Sequence, residues 1–233
     1  MRKDYSRHKK IFLVIPVFNE VRIIKEVIAE IKKAGYYHLV IVDDGSKDGT
    51  YQAIEGIPCV TALRHKFNCG KGASVKTGIE AALILGADII VTLDGDGQHD
   101  PLDIKRLICP IERDNFDVVL GSRLINPKGM PKSRLLFNKF GNFYTWVMYG
   151  LKVNDSQSGF RAYSRPIASR INPQANRYDF DSEIIKEISF RELRFKEVPI
   201  KVRYTKYSMG KQQKQGLKNG VKTALRILWN VID

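Results

Sequence analysis

The sequence predicts an α/β fold built on an open, mixed but mainly parallel sheet, and three observations carry that prediction. Short apolar runs of strand length recur between residues 11 and 121. Helical patterns separate them, so each strand is followed by a crossover rather than by a hairpin turn. The runs end in polar loops containing glycine or proline, where ligands of open parallel sheets bind.

Taken in order, residues 11–17 (IFLVIPV) form the first strand, and Val21, Ile24, Val27, Ile28 and Ile31 mark one face of the helix after it. Further strands are expected at residues 39–42, near 60–63, at 89–93 and at 118–120. The first strand runs out into Pro16-Val17-Phe18-Asn19-Glu20, the second into Asp43-Asp44-Gly45-Ser46 and the fourth into Asp94-Gly95-Asp96-Gly97-Gln98. All three loops should therefore meet in one crevice. After residue 121 the alternation fades into Gly-, Pro- and aromatic-rich sequence, with helical stretches near residues 181–190 and 213–231. The expected organisation is one domain over residues 1–212 and a basic amphipathic helix over 213–233.

At 233 residues and 43% hydrophobic content the chain can bury a substantial core. Cys59, Cys69 and Cys109 have spacings that suit neither a disulfide framework nor a zinc site, which points to a reducing compartment. The charged N-terminus lacks a signal-peptide pattern, and no apolar run approaches the ~18 residues needed to span a bilayer.

The net charge of +14 is concentrated. Residues 118–154 hold six Lys or Arg and residues 198–232 hold eight, and neither window contains an acid. A polyanionic partner is implied: nucleic acid, anionic lipid or a phosphate-bearing substrate. No RNA-binding signature or zinc module accompanies the charge, so nucleic acid is disfavoured. In the last segment Leu217, Val221, Leu225, Leu228, Trp229 and Ile232 share a helical face bordered by lysines, as in an interfacial anchor.

Asp94-Gly95-Asp96 places two carboxylates on a sharp loop after a buried strand, with Gln98 adding a neutral oxygen; such hard donors suit Mg²⁺ or Mn²⁺. Asp44 can accept hydrogen bonds from a nucleobase or a ribose. Asp48 reads as a helix cap, and Glu20 suits capping and ligand binding equally. Asn68-Cys69-Gly70-Lys71-Gly72 precedes a helix but lacks the Walker spacing; its lysine could still face a nucleotide.

In order and spacing, PVFNE, VDDGSKDGT, GKGASVKTG, LDGDGQHDP, GSR at 121–123 and SGFRAY at 158–163 resemble the inverting family-2 glycosyltransferases, in particular the dolichyl- and polyprenyl-phosphate mannose synthases and related glucosyl enzymes. The resemblance implies a GT-A domain in which Pro16, Phe18, Glu20, Val42 and Asp44 line a nucleotide pocket, and Asp94, Gly95, Asp96 and Gln98 hold metal and diphosphate. It also puts Arg123 beside the phosphates, Arg134, Asn138 and Lys139 at an acceptor phosphate, and Arg203 and Lys211 after Val198-Pro199-Ile200 on the donor side.

The implied reaction is inverting transfer of a hexose, foremost mannose from GDP-mannose, to a polyprenyl or dolichyl phosphate by a peripheral enzyme on the cytoplasmic face of a membrane. UDP-glucose is the alternative donor and a glycan hydroxyl the alternative acceptor; in that case Asp155 is the candidate base.

Overall fold

The computed structural model describes residues 9–127, 130, 132–176 and 180–203, without the side chains of 132–134 and 137. Lys211 and the predicted helix from residue 213 lie outside these residues.

Among the described residues, seven strands form one sheet in the order β3-β2-β1-β4-β6-β5-β7. The expected strands are β1 (Ile11–Val17), β2 (Leu39–Asp43), β3 (Val60–Arg64), β4 (Ile89–Thr92) and β5 (Val118–Ser122). Two more come from the region where the alternation fades, β6 (Arg161–Ser164) and β7 (Phe195–Pro199). β1 pairs in parallel with β2 and β4, and β5 with β7, whereas β6 runs antiparallel between β4 and β5.

Alternation along β1 divides the core. Leu13, Ile15 and Val17 point into a cluster shared with helices α1 (Ile24–Lys33) and α4 (Ile104–Arg113), while Phe12 and Val14 point to the opposite face. That second face is covered by α3 (Lys71–Ile84), α6 (Arg165–Ala168) and α7 (Phe180–Phe190). The short α2 (Thr50–Ile54) follows β2; its N-cap is Gly49, and Asp48, one residue earlier than the capping position expected of it, accepts from the Thr50 backbone N–H at 3.0 Å.

Helix α3 lies directly on the sheet at Gly78, where an added Cβ would run into Val14 Cγ1 and come 3.3 Å from Val42 Cγ2. Gly78→Ala is therefore expected to destabilise the protein by about 1–3 kcal/mol, read as a lower urea midpoint at unchanged slope.

Helix α5 (Lys132–Tyr149) was not legible in the sequence and is differently built. Leu136, Phe140, Phe143, Trp146, Val147 and Met148 are all exposed on it, so it carries an apolar surface outward. No helix among the described residues is long and apolar enough to cross a membrane.

Candidate active site

The three predicted loops meet at the carboxyl ends of β1, β2 and β4. Asp44 donates its backbone N–H to Val17 O at 2.9 Å, and Asn19 donates to Ser46 Oγ at 2.8 Å, which ties the first loop to the second. The fourth lies against β1 through Gly95, where a Cβ would approach Val17 Cγ1 to 2.5 Å and Pro16 O to 3.3 Å. Only glycine allows that approach.

Within the diacidic loop the two carboxylates differ. Asp94 meets the Lys71 ammonium at 2.8 Å, delivered by the first residue of α3. Burial alone would raise the Asp94 carboxyl, but the charge and hydrogen bond of Lys71, aided by Arg123, outweigh it and hold it at about 2. Asp96 accepts one hydrogen bond from Gln98 N–H at 3.0 Å, and burial together with the charges of Asp94 and Glu20 pushes it up to about 6.

His99 braces the loop from behind. It stacks on Phe160 at 4.7 Å and accepts from the Asp94 N–H at 3.3 Å through Nδ1, so Nε2 carries the ring proton. Burial lowers its pKa to about 4 and keeps the ring neutral.

Lys71 also reaches Asp181 Oδ2 at 3.2 Å. Burial works against its ammonium, yet Asp181 and Asp94 prevail and raise its pKa above the ordinary lysine value. The cleft beside it is lined by Pro16, Thr92, Gly159 and Asp181 among others. Gly159 of SGFRAY is glycine for a visible reason: a Cβ there would sit 2.6 Å from Lys71 Nζ. Arg161 of the same motif is fully buried and donates to the carbonyls of Ser156, Ser158 and Asp181, fastening β6 to α7.

Lys71→Met should leave Asp94 without its ion-pair partner and Asp181 with only the more distant Arg161, at 3.6 Å. Because Lys71 is 27% exposed, the expected loss is about 1–3 kcal/mol rather than the full cost of a buried pair, measured by urea denaturation.

Arg123 follows β5 and is gripped by Asp155. Its Nε and Nη2 donate to the two carboxylate oxygens at 2.7 Å each, and its backbone N–H donates at 2.9 Å. Asp155 is 1% exposed and both its oxygens are engaged. The residue read as a candidate base thus sits behind the arginine.

Other expected residues have different settings. Asp44 is buried and accepts from His65 Nδ1, Cys69 N and Gly70 N, so it fixes the loop entering α3. Asp44, His65 and Cys69 bring potential metal-ligand atoms within 4.8 Å of one another, but those hydrogen bonds already use the carboxylate. Val42 lies in the core under α3 and has no exposed surface. Phe18 is 38% exposed at the rim, and Glu20 is buried next to the diacidic loop, with its N–H on Thr50 Oγ1 at 2.8 Å.

Arg203 donates its backbone N–H to Gln98 O at 2.8 Å, closing the chain over the diacidic loop, while its guanidinium turns to Glu30 and Asp100. Asn138 and Lys139 lie on α5, Asn138 against Met130 and Lys139 exposed; Arg134 is on the same helix, its side chain outside the described set.

Of the residues gathered around the diacidic loop, the sequence reading did not single out Asp181, and it gave no role to His99 and Arg161, which lie within the quoted motifs LDGDGQHDP and SGFRAY. Lys71 had a local signal in its helix start. Asp181 had none, since it reaches the site only through the packing of α7.

Two aspartates of a strand-end loop, one paired with lysine and one unneutralised, fit a hard divalent cation, with Gln98 beside them. Together with the sheet order, the site defines a glycosyltransferase of GT-A architecture. Residues 12–171 match the model of Glycosyl transferase family 2, and the chain belongs to that family.

Among relatives, a UDP-N-acetylglucosamine–dolichyl-phosphate N-acetylglucosaminyltransferase of Methanococcus voltae is 39% identical over 224 residues, covering 87% of this chain and 89% of that one. An undecaprenyl-phosphate mannosyltransferase of Micrococcus luteus is 29% identical over 203 residues, 82% of each. Among solved structures, glucosyl-3-phosphoglycerate synthase from Mycobacterium tuberculosis, in complex with Mn²⁺, UDP and phosphoglyceric acid, superposes with a TM-score of 0.64 at 19% identity, covering 94% of this chain and 78% of that one.

Proposed function

We propose that this glycosyltransferase moves a sugar from a nucleotide diphosphate donor to a polyprenyl phosphate, with inversion at the anomeric carbon and dependence on Mg²⁺ or Mn²⁺. The observation that carries this reading is the diacidic loop flanked by Lys71 and by an Arg123 fixed on buried Asp155. Asp94, Asp96 and Gln98 would hold the cation, which would neutralise charge on the departing diphosphate. The neighbouring structure, solved with Mn²⁺ and UDP, supports a metal and a nucleotide, and the dolichyl-phosphate and undecaprenyl-phosphate relatives support a lipid phosphate acceptor.

In the reaction an oxygen of the acceptor phosphate bonds to the anomeric carbon as the bond to the donor diphosphate breaks, its electron pair leaving with the diphosphate. A phosphate nucleophile is already anionic, so the chain has to orient it rather than deprotonate it. Arg123 performs that orientation, locked by two hydrogen bonds to Asp155. Asp155 acts here as a positioning residue: 1% exposed and accepting three hydrogen bonds from Arg123, it is not presented to a glycan hydroxyl, which favours the lipid-phosphate acceptor. Lys139 and the exposed apolar face of α5 would rest on the membrane that carries the acceptor, its basic segment meeting anionic headgroups.

For the donor, the Methanococcus voltae relative supports UDP-N-acetylglucosamine, and the motif set and the Micrococcus luteus relative support a mannosyl donor such as GDP-mannose. A thermal-shift screen of nucleotide sugars with and without Mn²⁺ separates them, because only a ligand of the native state raises the midpoint. UDP-N-acetylglucosamine is expected to give the largest Mn²⁺-dependent rise. A larger rise with GDP-mannose would reassign the donor, and no rise with any nucleotide sugar would remove the reading.

A further inference from the structure

Helix α5 presents two unlike faces. Leu136, Phe140, Phe143 and Val147 fall on one stripe and are exposed. Turned away from that stripe, Gly141 and Asn142 pack on residues 154–157. The contact at Gly141 is close enough that a Cβ would reach 2.5 Å from Gln157 Nε2.

Asn142 uses both ends of its amide on this segment. Its Oδ1 accepts from Ser156 N–H and Ser156 Oγ–H at 2.9 Å each, and its Nδ2 donates to Asn154 O. Between those two anchor residues stands Asp155, the holder of Arg123. On the other side Glu197 of β7 accepts from Asn154 N–H and Nδ2 at 2.8 and 2.7 Å. The segment is thus clamped between one element of the sheet and one helix whose outer face is apolar.

We infer that Asn142 is a positioning residue that transmits attachment of α5 at a lipid surface, through Asn154-Asp155-Ser156, to the orientation of Arg123. The inference rests on the lipid-phosphate reading above and adds a regulation to it: the arginine is best ordered when the helix is seated where the acceptor is found. The physical basis is reciprocal coupling, since a surface that restrains α5 must restrain whatever α5 holds by three hydrogen bonds.

The test is ¹⁵N NMR of the arginine Nε–H groups of the full chain, with the Arg123 signal assigned by its loss in Arg123→Lys. Spectra are compared without lipid and with bicelles of phosphatidylcholine and phosphatidylglycerol, in the absence of donor and acceptor. In the wild type the Arg123 Nε–H should exchange more slowly once bicelles are added. In Asn142→Leu its exchange should be faster by about fivefold for each hydrogen bond lost, and insensitive to bicelles that the protein still binds.

Phe140→Ser combined with Phe143→Ser should keep the lipid-free wild-type signal and lose the response. Should Asn142→Leu fail to fold, Ser156→Ala removes one of the three bonds and should weaken the response. A wild-type response in Asn142→Leu or an unchanged one in Ser156→Ala overturns the inference, as does a wild-type signal indifferent to bound bicelles. None of these readouts uses sugar transfer, so failure of the proposed reaction and failure of the relay are told apart.

Discussion

Asp96→Asn is expected to abolish transfer, by about 10³-fold or more in kcat, in a protein that is more stable than the wild type. The two effects share one cause. In the folded chain Asp96 carries a negative charge next to Asp94 and Glu20 in a half-buried loop, and its pKa rises to about 6. A group whose folded pKa is raised contributes stability fully below its unfolded pKa, near 3.8, and loses it as pH rises through about 6.

At pH 7.5, without metal, the ionised wild type therefore bears a cost that asparagine does not, on the order of 1–3 kcal/mol. Thermal melts in EDTA should place Asp96→Asn above the wild type at pH 7.5, with the gap closing below about pH 4. A saturating divalent cation should favour the wild type instead. A variant less stable than the wild type in EDTA at pH 7.5 would contradict the account of this loop as a charge excess awaiting a cation.

The second large effect belongs to Arg123. Arg123→Ala removes the cation proposed to orient the acceptor and strands Asp155, 1% exposed, with a buried charge. Loss of a partner from a buried pair costs about 3–5 kcal/mol, and loss of an orienting cation costs about 10²- to 10³-fold in rate. Arg123→Lys should recover part of the stability and little of the rate, because one ammonium cannot reproduce the two-pronged grip that fixes the direction of the guanidinium. Chemical denaturation and single-turnover transfer measure the two losses separately. Near-wild-type turnover in Arg123→Lys would remove the geometric role argued for the pair.

Much of the nucleotide half of the fold is legible in sequence because its central strands are buried on both faces and read as plain apolar runs, as in FLVI, LVIV and IIVT. The three loops that build the diacidic cleft were legible for the same reason: each follows such a run directly. Legibility fails where burial and polarity part company. β6 is four residues long and contains a fully buried arginine, and β7 has only Val198 fully buried, so neither gives a strand pattern. Helix α5 displays its large apolar residues outward, the reverse of the rule that reveals a packed helix.

At the site, Asp94, Asp96 and Arg123 were found through local motifs. Their partners were not: Asp181 meets Lys71 from 110 positions away, and the use of Asp155 as a brace depends on a contact across 32 residues. Sequence spacing identifies a carboxylate as able to act as a base; only the fold shows that both its oxygens are already occupied.

The central claim is metal-dependent transfer to a lipid phosphate, and product formation tests it most directly. Purified full-length chain would be given radiolabelled UDP-N-acetylglucosamine or GDP-mannose with a polyprenyl phosphate in anionic vesicles, with Mn²⁺ or with EDTA, and label in the lipid fraction counted. The account predicts lipid-linked sugar from one of these donors with Mn²⁺, none with EDTA and none from Asp96→Asn. Transfer that persists in EDTA, or a folded, donor-binding enzyme that labels a glycan hydroxyl and no polyprenyl phosphate, would contradict it.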